Sequence, residues 1–260
     1  MTGAAQPGKW GDLSRRVAST VVLLGIGVLL ATAQGIWLVL GMAVISAVTF
    51  WELAMMTGAD ARRSLLLAGL AFAGQVAALT VGGPLMLVLP LLVGAFLVRD
   101  RAGLVIFGAA IMLAGFGLVG FRTAFGLPFV LWLMGIVIIS DTAGYFVGRV
   151  MGGPKFWPSL SPKKTWSGTV AGWVGAAILG VVMWSLGHGH AALIWMSPLV
   201  AFAGQMGDIA ESGLKRRAGV KDSSNLIPGH GGFMDRFDAV TGAVLAAMLI
   251  GLFTTLPDVG

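Results

Sequence analysis

The chain has 260 residues, of which 57% are hydrophobic and 11% are charged, and its formal net charge is +6 at pH 7. Because soluble domains carry about 25% charged residues, this composition excludes an ordinary soluble protein and indicates a membrane protein. The chain has no cysteine, so disulfide bridges, thiolate metal ligands and cysteine nucleophiles are excluded.

Uncharged apolar windows follow one another along most of the chain. A window of about 20 residues is long enough to cross a hydrocarbon core of roughly 30 Å as a helix, and the alternating pattern of a membrane β-barrel is absent. The sequence therefore predicts an all-α integral membrane protein with about nine transmembrane helices, in a single polytopic domain over residues 1–260. The predicted spans are 17–33, 35–56, 64–81, 83–98, 103–121, 127–148, 168–187, 191–211 and 237–255.

The first predicted span follows Lys9, Arg15 and Arg16, as the apolar part of a signal peptide would. No convincing small-residue cleavage site precedes the next span, so we expect an uncleaved first helix. Alternate connections then differ in charge, with sixteen Lys and Arg on one side and only Arg122 on the other. The positive-inside rule places the amino terminus in the cytoplasm and, with nine spans, the carboxyl terminus outside. Since the cations lie between spans and not on a soluble domain, no nucleic-acid partner is expected.

Two carboxylates lie inside or close to the cytoplasmic ends of predicted spans, Asp141 in the sixth and Asp208 in the eighth. A carboxylate there is costly unless it has a partner or a water-filled cavity, and an interhelical hydrogen bond is the alternative for Asp141. If the eighth helix continues to residue 215, then Asp208, Ser212 and Lys215 share one face and line one wall of a site. Glu52 lies near a helix end and is expected to be a satisfied interfacial group.

Asp235 and Asp238 stand three residues apart in the first turn of the ninth predicted helix. Paired carboxylates at the cytoplasmic membrane edge suit Mg²⁺, which takes few protein oxygens and shares its other positions with water and phosphates. Aspartate at this place also caps a helix or interacts favourably with its dipole. The spacing alone leaves both roles open.

The two long connections on the predicted cytoplasmic side, 149–167 and 212–236, collect donors that suit a phosphate site. In the second, cations can neutralise a polyphosphate and a Gly-Gly step can bring backbone N–H groups close to an anion. These residues are Lys215, Arg216, Lys221, Arg236, Gly231 and Gly232. In the first, a compact donor cluster consists of Ser161, Lys163, Lys164 and Thr165. The alternative for its lysines is the positive-inside bias together with attraction to anionic lipid.

The second connection also carries a long pattern of spaced polar residues. The segment "SGLKRRAGVKDSSNLIPGHGGFMDRFD" contains S-x-x-K-R-x4-K-D followed by H-G-G-x-x-D-R-x-D. The fixed positions are Ser212, Lys215, Arg216, Lys221, Asp222, His230, Gly231, Gly232, Asp235, Arg236 and Asp238. This pattern resembles the signature of the phosphatidate cytidylyltransferases, or CDP-diacylglycerol synthases. "SDTAGYFVGR", "SPKKTWSG" and "GDIAES" extend the resemblance, whereas Ser167 stands where relatives commonly carry Glu.

The resemblance implies transfer of a cytidylyl group from CTP to phosphatidic acid, giving CDP-diacylglycerol and pyrophosphate for phospholipid biosynthesis. It implies a Mg²⁺ requirement and leaves open a second, monovalent cation. The implied metal ligands are Asp208 and Asp235 first, then Asp238 and Asp141, and the implied catalytic groups are Asp208, Asp235, Lys215 and Ser212. The implied substrate-binding groups of the second connection are Lys215, Arg216, Lys221, Asp222, His230, Gly231, Gly232 and Arg236. Of these, Lys215, Arg216, Lys221 and Arg236 are implied to hold the triphosphate or the leaving pyrophosphate. Ser161, Lys163, Lys164 and Thr165 are implied to bind the phosphatidate headgroup or to close over the nucleotide.

The resemblance further implies a multi-pass protein of the cytoplasmic (inner) membrane with its active site facing the cytoplasm. Residues 127–260 would then hold the catalytic helices and cytoplasmic loops, and residues 1–126 the amino-terminal helices. Gly168 and Gly172 in the seventh span permit a close helix approach or a dimer contact. Together with the resemblance, they make a homodimer an expected assembly.

Other activities remain open at this point. A CTP-dependent lipid kinase of the polyprenol type would transfer the γ-phosphate and release CDP, whereas cytidylyl transfer releases pyrophosphate. A related lipid phosphate could also serve as the acceptor. A CDP-alcohol phosphatidyltransferase is disfavoured because its D-G-x2-A-R-x8-G-x3-D-x3-D pattern is missing. A transporter is disfavoured because the charge gathers at one membrane face and no inverted repeat is visible.

Overall fold

The computed structural model describes residues 9–257 and 259, with side chains from residue 18 onward. The side chains of Lys9, Arg15 and Arg16, which contribute to the predicted topology, therefore lie outside the described part. Within that part the chain forms nine α-helices. They are α1 (Lys9–Thr32), α2 (Gly35–Met56), α3 (Ala61–Ala77), α4 (Val88–Leu97), α5 (Arg101–Ala124), α6 (Gly126–Met151), α7 (Trp166–Ser185), α8 (Leu193–Ala218) and α9 (Met234–Phe253).

Six helical segments of the described chain are long and apolar enough to cross a membrane. They are Gly35–Met56, Ala61–Gly82, Arg101–Met151, Trp166–Ser185, Leu193–Ala218 and Met234–Phe253. The third of these segments contains both α5 and α6, which meet at Phe125 and Gly126. Two apolar segments, Ala18–Thr32 and Pro84–Leu97, are shorter. A helical membrane protein is thus confirmed, while helix length and hydropathy alone do not establish nine spans.

Three helices begin with a side-chain cap that the sequence supplies. The side chains of Asp60, Asp100 and Thr165 each accept a hydrogen bond from the N–H three residues later, at 2.8, 2.9 and 3.3 Å. Such caps satisfy N–H groups that have no partner inside the helix. Between α5 and α6 the chain turns sharply at Gly126, whose φ of 79° is a conformation that favours glycine.

A two-stranded antiparallel hairpin interrupts the helices between α6 and α7. Strand β1 (Lys155–Trp157) pairs with β2 (Ser161–Thr165), with Lys155 opposite Thr165. The sequence did not predict this hairpin, because strands of three and five residues give too little alternation to be identified. The hairpin holds the donor cluster 161–165 against α7, since Thr165 is also the cap of that helix.

The helices pack in two groups that share α5. One group consists of α2, α3, α4 and α5 around buried side chains that include Phe50 and Leu67. The other consists of α5 to α9 around buried side chains that include Phe129 and Met196. The boundary predicted after residue 126 falls at the junction of α5 and α6. Because α5 packs against helices from both groups, the two groups are not separate in space.

Glycines allow α6 and α7 to approach closely. A Cβ at Gly168 would lie 3.2 Å from the Cα atom of Gly148 and would meet the carbonyl oxygen of Gly144. A Cβ at Gly172 would lie 2.7 Å from the hydroxyl oxygen of Ser140. The close helix approach that the sequence predicts from Gly168 and Gly172 therefore occurs within this chain.

Contacts between connections show which helix ends lie together. The N–H groups of Arg99 and Asp100 both donate to the carbonyl of Thr57, at 3.1 and 3.0 Å, so the α2–α3 and α4–α5 connections meet. At the other end of α5, Arg122 Nε donates to the carbonyl of Ala31 at 3.1 Å, beside the α1–α2 connection. Alternate connections thus share an end of the bundle, as an up-and-down arrangement requires.

Candidate active site

The carboxylates of α8 and α9 come together because small residues let these helices cross closely. A Cβ at Gly204 would lie 3.1 Å from the carbonyl oxygen of Ala239, and a Cβ at Gly207 would meet the carbonyl oxygen of Asp238. Close approach through glycine is typical of helices in membranes. The crossing lies near the connection between the two helices, residues 219–233, which we call the polar loop.

Three carboxylates form a cluster at this crossing. One oxygen each of Asp208, Glu211 and Asp238 lies within 4.8 Å of the others, with Glu211 buried and the two aspartates half-buried. α8 ends at Ala218, beyond the predicted end of the span at residue 211, so the condition for Asp208, Ser212 and Lys215 to share one face is met. Continuity of that helix places Asp208 and Glu211 on the same side, one turn apart.

Lys215 joins this cluster to Asp235. Its ammonium lies 2.7 Å from Glu211 Oε2 and 2.6 Å from Asp235 Oδ1. The other oxygen of Asp235 accepts from the N–H groups of Ser223 and Gly232, at 3.0 and 2.7 Å. Because protein donors engage both oxygens of Asp235, this carboxylate ties the polar loop to the first turn of α9. A metal contact at Oδ1 would compete with the ion pair to Lys215.

The hairpin contributes Lys164 to the same place. Its ammonium lies 2.5 Å from Asp208 Oδ2 and 3.5 Å from the carbonyl oxygen of Gln205. The side chains of Lys164 and Asp208 are 24% and 31% exposed, so water screens the pair. Ion pairs that water reaches contribute about 0 to 1 kcal/mol to stability. This contact therefore matters more for the charge it brings to the site than for stability.

A cavity of about 780 Å³ lies between α6, α7, α8, α9 and the hairpin, and we call it the polar cavity. Its carboxylates are Asp141, Asp208, Asp235 and Asp238. Its cations are Arg149, Lys155, Lys163, Lys164 and Arg236. Thr165 of the predicted donor cluster lines it as well. Carboxylates and cations in one cavity suit a ligand that combines phosphates with a divalent cation.

A second cavity, of about 310 Å³, lies between α2, α5, α8 and α9, and we call it the apolar cavity. Apolar side chains such as Met42, Ile45 and Ile111 make up most of its lining. Glu211 also lines it, and Asp238 lines both cavities. The carboxylate cluster therefore stands between a charged space and an apolar one.

Several predicted residues lie outside the lining of the polar cavity in the described chain. They are Ser161 in the hairpin, Ser212, Lys215 and Arg216 on α8, and Lys221, Asp222, His230, Gly231 and Gly232 in the polar loop. Arg216, Lys221 and Asp222 are exposed. The N–H of Gly232, predicted to approach an anion, donates to the Asp235 carboxylate in this structure.

Four residues of this region were missed from the sequence. Glu211 could have been found from its spacing of three from Asp208 and four from Lys215. Arg149 and Lys155 line the polar cavity, but the sequence predicts them only as topology signals. Glu52, expected as an interfacial group, is fully buried and hydrogen-bonded to the polar loop. Its partners are more than 170 residues away, so no local pattern could identify them.

This donor set suits a hard cation together with phosphates. The three clustered groups are all carboxylates, without histidine or cysteine. Oxygen ligands are those that Mg²⁺ and similar hard cations take, whereas protein zinc sites usually include histidine nitrogen or cysteine sulfur. The cations around the same cavity supply the donors that phosphate oxygens accept.

Comparison with known proteins matches residues 14–254 to the cytidylyltransferase family. A phosphatidate cytidylyltransferase of Brucella suis is 41% identical over 137 residues, which cover 52% of this chain and 51% of that protein. A phosphatidate cytidylyltransferase of Staphylococcus saprophyticus is 42% identical over 118 residues, 44% of this chain and 45% of that protein. The matched part thus spans about half the length of these curated relatives.

Proposed function

This chain belongs to the cytidylyltransferase family, and on that premise we propose that it transfers the cytidylyl group of CTP to phosphatidate, giving CDP-diacylglycerol and pyrophosphate. The observation that carries the proposal is the carboxylate cluster between the polar and the apolar cavity. A reaction between a water-soluble nucleotide and a lipid needs such a meeting point. The names of the two relatives above support the same substrates.

The clustered carboxylates fit a divalent cation. Asp208, Glu211 and Asp238 offer oxygens within 4.8 Å of one another, a donor set that suits Mg²⁺. Asp141 and Asp235 line the same cavity and remain predicted ligands, with Asp235 held by Lys215. When bound, Mg²⁺ would supply charge stabilisation for the phosphates of CTP and for the leaving pyrophosphate. The proposal also leaves room for a second, monovalent cation at this site.

The polar cavity is the proposed place of the triphosphate. Its volume of about 780 Å³ lies in the range of small-molecule sites. Lys163 and Arg236 are exposed to it and can donate to phosphate oxygens. Arg216 and Lys221 on the exposed surface nearby would attract the nucleotide before it enters. The predicted roles of Ser212, Asp222 and His230 stay part of this proposal.

The apolar cavity is the proposed place of part of an acyl chain of phosphatidate. Its lining is almost entirely apolar, and Asp238 belongs to both cavities. A lipid whose chain enters between α2 and α5 would present its phosphate at the carboxylate cluster. There the lipid phosphate would meet the α-phosphate of CTP, with Ser161 and Thr165 of the hairpin as predicted headgroup contacts.

The reaction requires one bond to form and one to break. A phosphate oxygen of phosphatidate attacks the α-phosphorus of CTP, and the bond from that phosphorus to the oxygen of the β-phosphate breaks. Pyrophosphate leaves with the electron pair. Because the attacking phosphate is already ionised at neutral pH, no general base is required. The protein's contribution is to orient the two phosphates in line and to neutralise charge through the cations of the polar cavity.

The membrane arrangement is also part of the proposal. Nine spans with the amino terminus in the cytoplasm would place the carboxylate cluster and the hairpin at the cytoplasmic face of an inner membrane. The contacts among alternate connections and the charge bias support this arrangement. We also propose a homodimer, because the resemblance implies one.

The test uses the full-length protein in detergent with phosphatidate and Mg²⁺. Parallel reactions contain CTP labelled in the α-phosphate or in the γ-phosphate, and lipid label and pyrophosphate are both measured. The expected result is lipid label from the α-phosphate only, with an equal amount of pyrophosphate. Lipid label from the γ-phosphate together with CDP would identify a lipid kinase instead. No labelled lipid from either nucleotide would overturn the assignment of phosphatidate as acceptor.

A further inference from the structure

Glu52 on α2 is fully buried and holds the distant polar loop through both of its oxygens. Oε1 accepts from the N–H of Phe233 at 2.8 Å and from the hydroxyl of Ser224 at 2.5 Å. Oε2 accepts from the N–H of Met234 at 2.6 Å and lies 3.2 Å from the hydroxyl of Ser223. All four neighbours are donors, which is the environment that an acceptor-only carboxylate satisfies.

These contacts close the amino end of α9. The first N–H groups of a helix have no partner within it, and the residue at the cap position of α9, Phe233, makes no side-chain cap. Glu52, which lies on α2, accepts hydrogen bonds from these N–H groups instead. Its negative charge also lies where the dipole of α9 favours an anion.

Further polar contacts connect Glu52 to the carboxylate cluster. The hydroxyl of Ser223 lies 3.2 Å from Glu52 Oε2 and 3.1 Å from Asp235 Oδ2, and its single proton can serve one of them at a time. Asp235 is paired with Lys215, and Lys215 with Glu211. An unbroken series of polar contacts therefore runs from α2 to the carboxylates between α8 and α9.

We propose that Glu52 is a positioning residue that sets the place of Asp235 and Asp238 relative to Asp208 and so determines how tightly the cluster holds a divalent cation. The proposal rests on the proposed function in one respect, the presence of a cation at the cluster. Asp238 lies one turn beyond the N–H groups that Glu52 holds. A displacement of about 1 Å at a reacting centre is enough to cost about a hundredfold in rate.

Glutamine cannot replace Glu52 in this role. Its amide has one acceptor oxygen and one NH₂ group, and the NH₂ group would face an N–H or hydroxyl donor. Glu52→Gln would therefore leave an N–H of Phe233 or Met234 buried without an acceptor. A matched control is Phe50→Leu, because Phe50 is equally buried on α2 but packs among α2, α3, α4 and α5, away from the polar loop.

The first measurement is amide hydrogen exchange of the full-length protein in detergent. In Glu52→Gln we expect the peptide that contains Phe233 and Met234 to exchange about tenfold faster or more, because a charge-assisted hydrogen bond is lost there. Phe50→Leu should leave exchange in that peptide unchanged. Equal exchange in wild type and Glu52→Gln would overturn the proposal, since Glu52 would then not hold the start of α9.

The second measurement is the Mg²⁺ concentration that raises Tm by a fixed amount above its value without Mg²⁺, which scales with the Kd for the cation and requires no activity. We expect this concentration to rise about tenfold in Glu52→Gln and to stay at the wild-type value in Phe50→Leu. The same rise in both variants, or no rise in Glu52→Gln, would make Glu52 a purely structural residue. If wild type makes no labelled lipid, the proposed function fails, while these two measurements still decide the role of Glu52.

Discussion

The polar and the apolar cavity share Asp238 and are both lined by α8 and α9, yet they differ in charge. The polar cavity has four carboxylates and five cations in its lining, whereas the apolar cavity has two carboxylates and otherwise mostly apolar side chains. The difference in charge arises from the elements that line only one of the two cavities. The hairpin and the end of α6 bring cations to the polar cavity, and α2 and α5 bring apolar side chains to the other.

This comparison explains why the carboxylate cluster lies where it does. A cluster wholly inside the apolar cavity would lose hydration without gaining partners. A cluster wholly at the surface would not border the apolar cavity, the proposed place of the acyl chain. At the border, Asp208 faces the cations of the hairpin, while Glu211 and Asp238 reach the apolar side. The predictions below change, in turn, the carboxylate cluster, the ion pairs of Lys215, a cation that lines the polar cavity and a side chain that lines the apolar cavity.

The largest effect is expected from Asp208→Asn or Asp238→Asn. Either change removes a carboxylate oxygen from the proposed cation site, and a cation that stabilises phosphate charge contributes several kcal/mol. CDP-diacylglycerol formation at saturating Mg²⁺ should therefore fall by about a thousandfold or more. The matched control is Asp60→Asn, because Asn caps α3 as well as Asp does. Normal turnover in both cluster variants would show that these carboxylates do not hold the cation.

A large effect on stability is expected from Lys215→Met. Removing the ammonium leaves Glu211 and Asp235 near each other without their cation. Breaking a buried ion pair in this way costs about 3 to 5 kcal/mol. The measurement is the unfolding temperature in detergent, followed by tryptophan fluorescence. Arg217→Met, at an exposed position on the same helix, is the control. An unchanged Tm for Lys215→Met would mean that this ion pair does not hold α8 to α9.

A smaller effect, confined to the nucleotide, is expected from Lys163→Gln. Lys163 lines the polar cavity and is exposed, so its loss would remove one charge-assisted contact to the proposed triphosphate. The KM for CTP should rise by about tenfold, with the KM for phosphatidate changed much less. Arg62→Gln removes an exposed cation far from the cavity and should change neither value. A selective rise in the KM for phosphatidate would instead assign Lys163 to the lipid headgroup.

The smallest effect, confined to the lipid, is expected from Ala110→Leu. Ala110 lines the apolar cavity, and a larger side chain there would occupy part of its volume of about 310 Å³. The KM for long-chain phosphatidate should rise by about threefold to tenfold, as expected for the loss of one or two buried methylene groups. Short-chain phosphatidate and CTP should be unaffected. Ala102→Leu, exposed on the same helix, is the control. An equal rise for both lipids would argue against an acyl chain in this cavity.

The helices and the polar segments could be predicted from local features of the sequence. Apolar length and flanking charge located the predicted spans, and eight of the nine overlap α2 to α9 closely. The condition that the eighth helix continues to residue 215 is met, although the predicted span ended at 211, and Asp235 and Asp238 lie in the first turns of α9 as predicted. The resemblance to the cytidylyltransferases depended on spacing within about 27 residues, which requires no tertiary information.

The hairpin and the partners of individual charges could not be predicted in this way. Lys215 stays a predicted phosphate ligand, and the sequence did not show that its ammonium also lies 2.6 Å from Asp235 of α9. Glu52 was expected at an interface, and it closes the start of α9. In both cases the deciding contact joins residues from different helices, so helix periodicity carries no information about it.

The sequence by itself determined that this chain is helical, that it lies in a membrane and that its charge gathers on two connections, because hydropathy, helix length and the positive-inside bias act locally. Only the tertiary structure decided which charges meet. The glycine-mediated crossing of α8 and α9 brings Asp208, Glu211 and Asp238 within 4.8 Å. Buried charges require partners, and those partners come from whichever helix the packing places beside them.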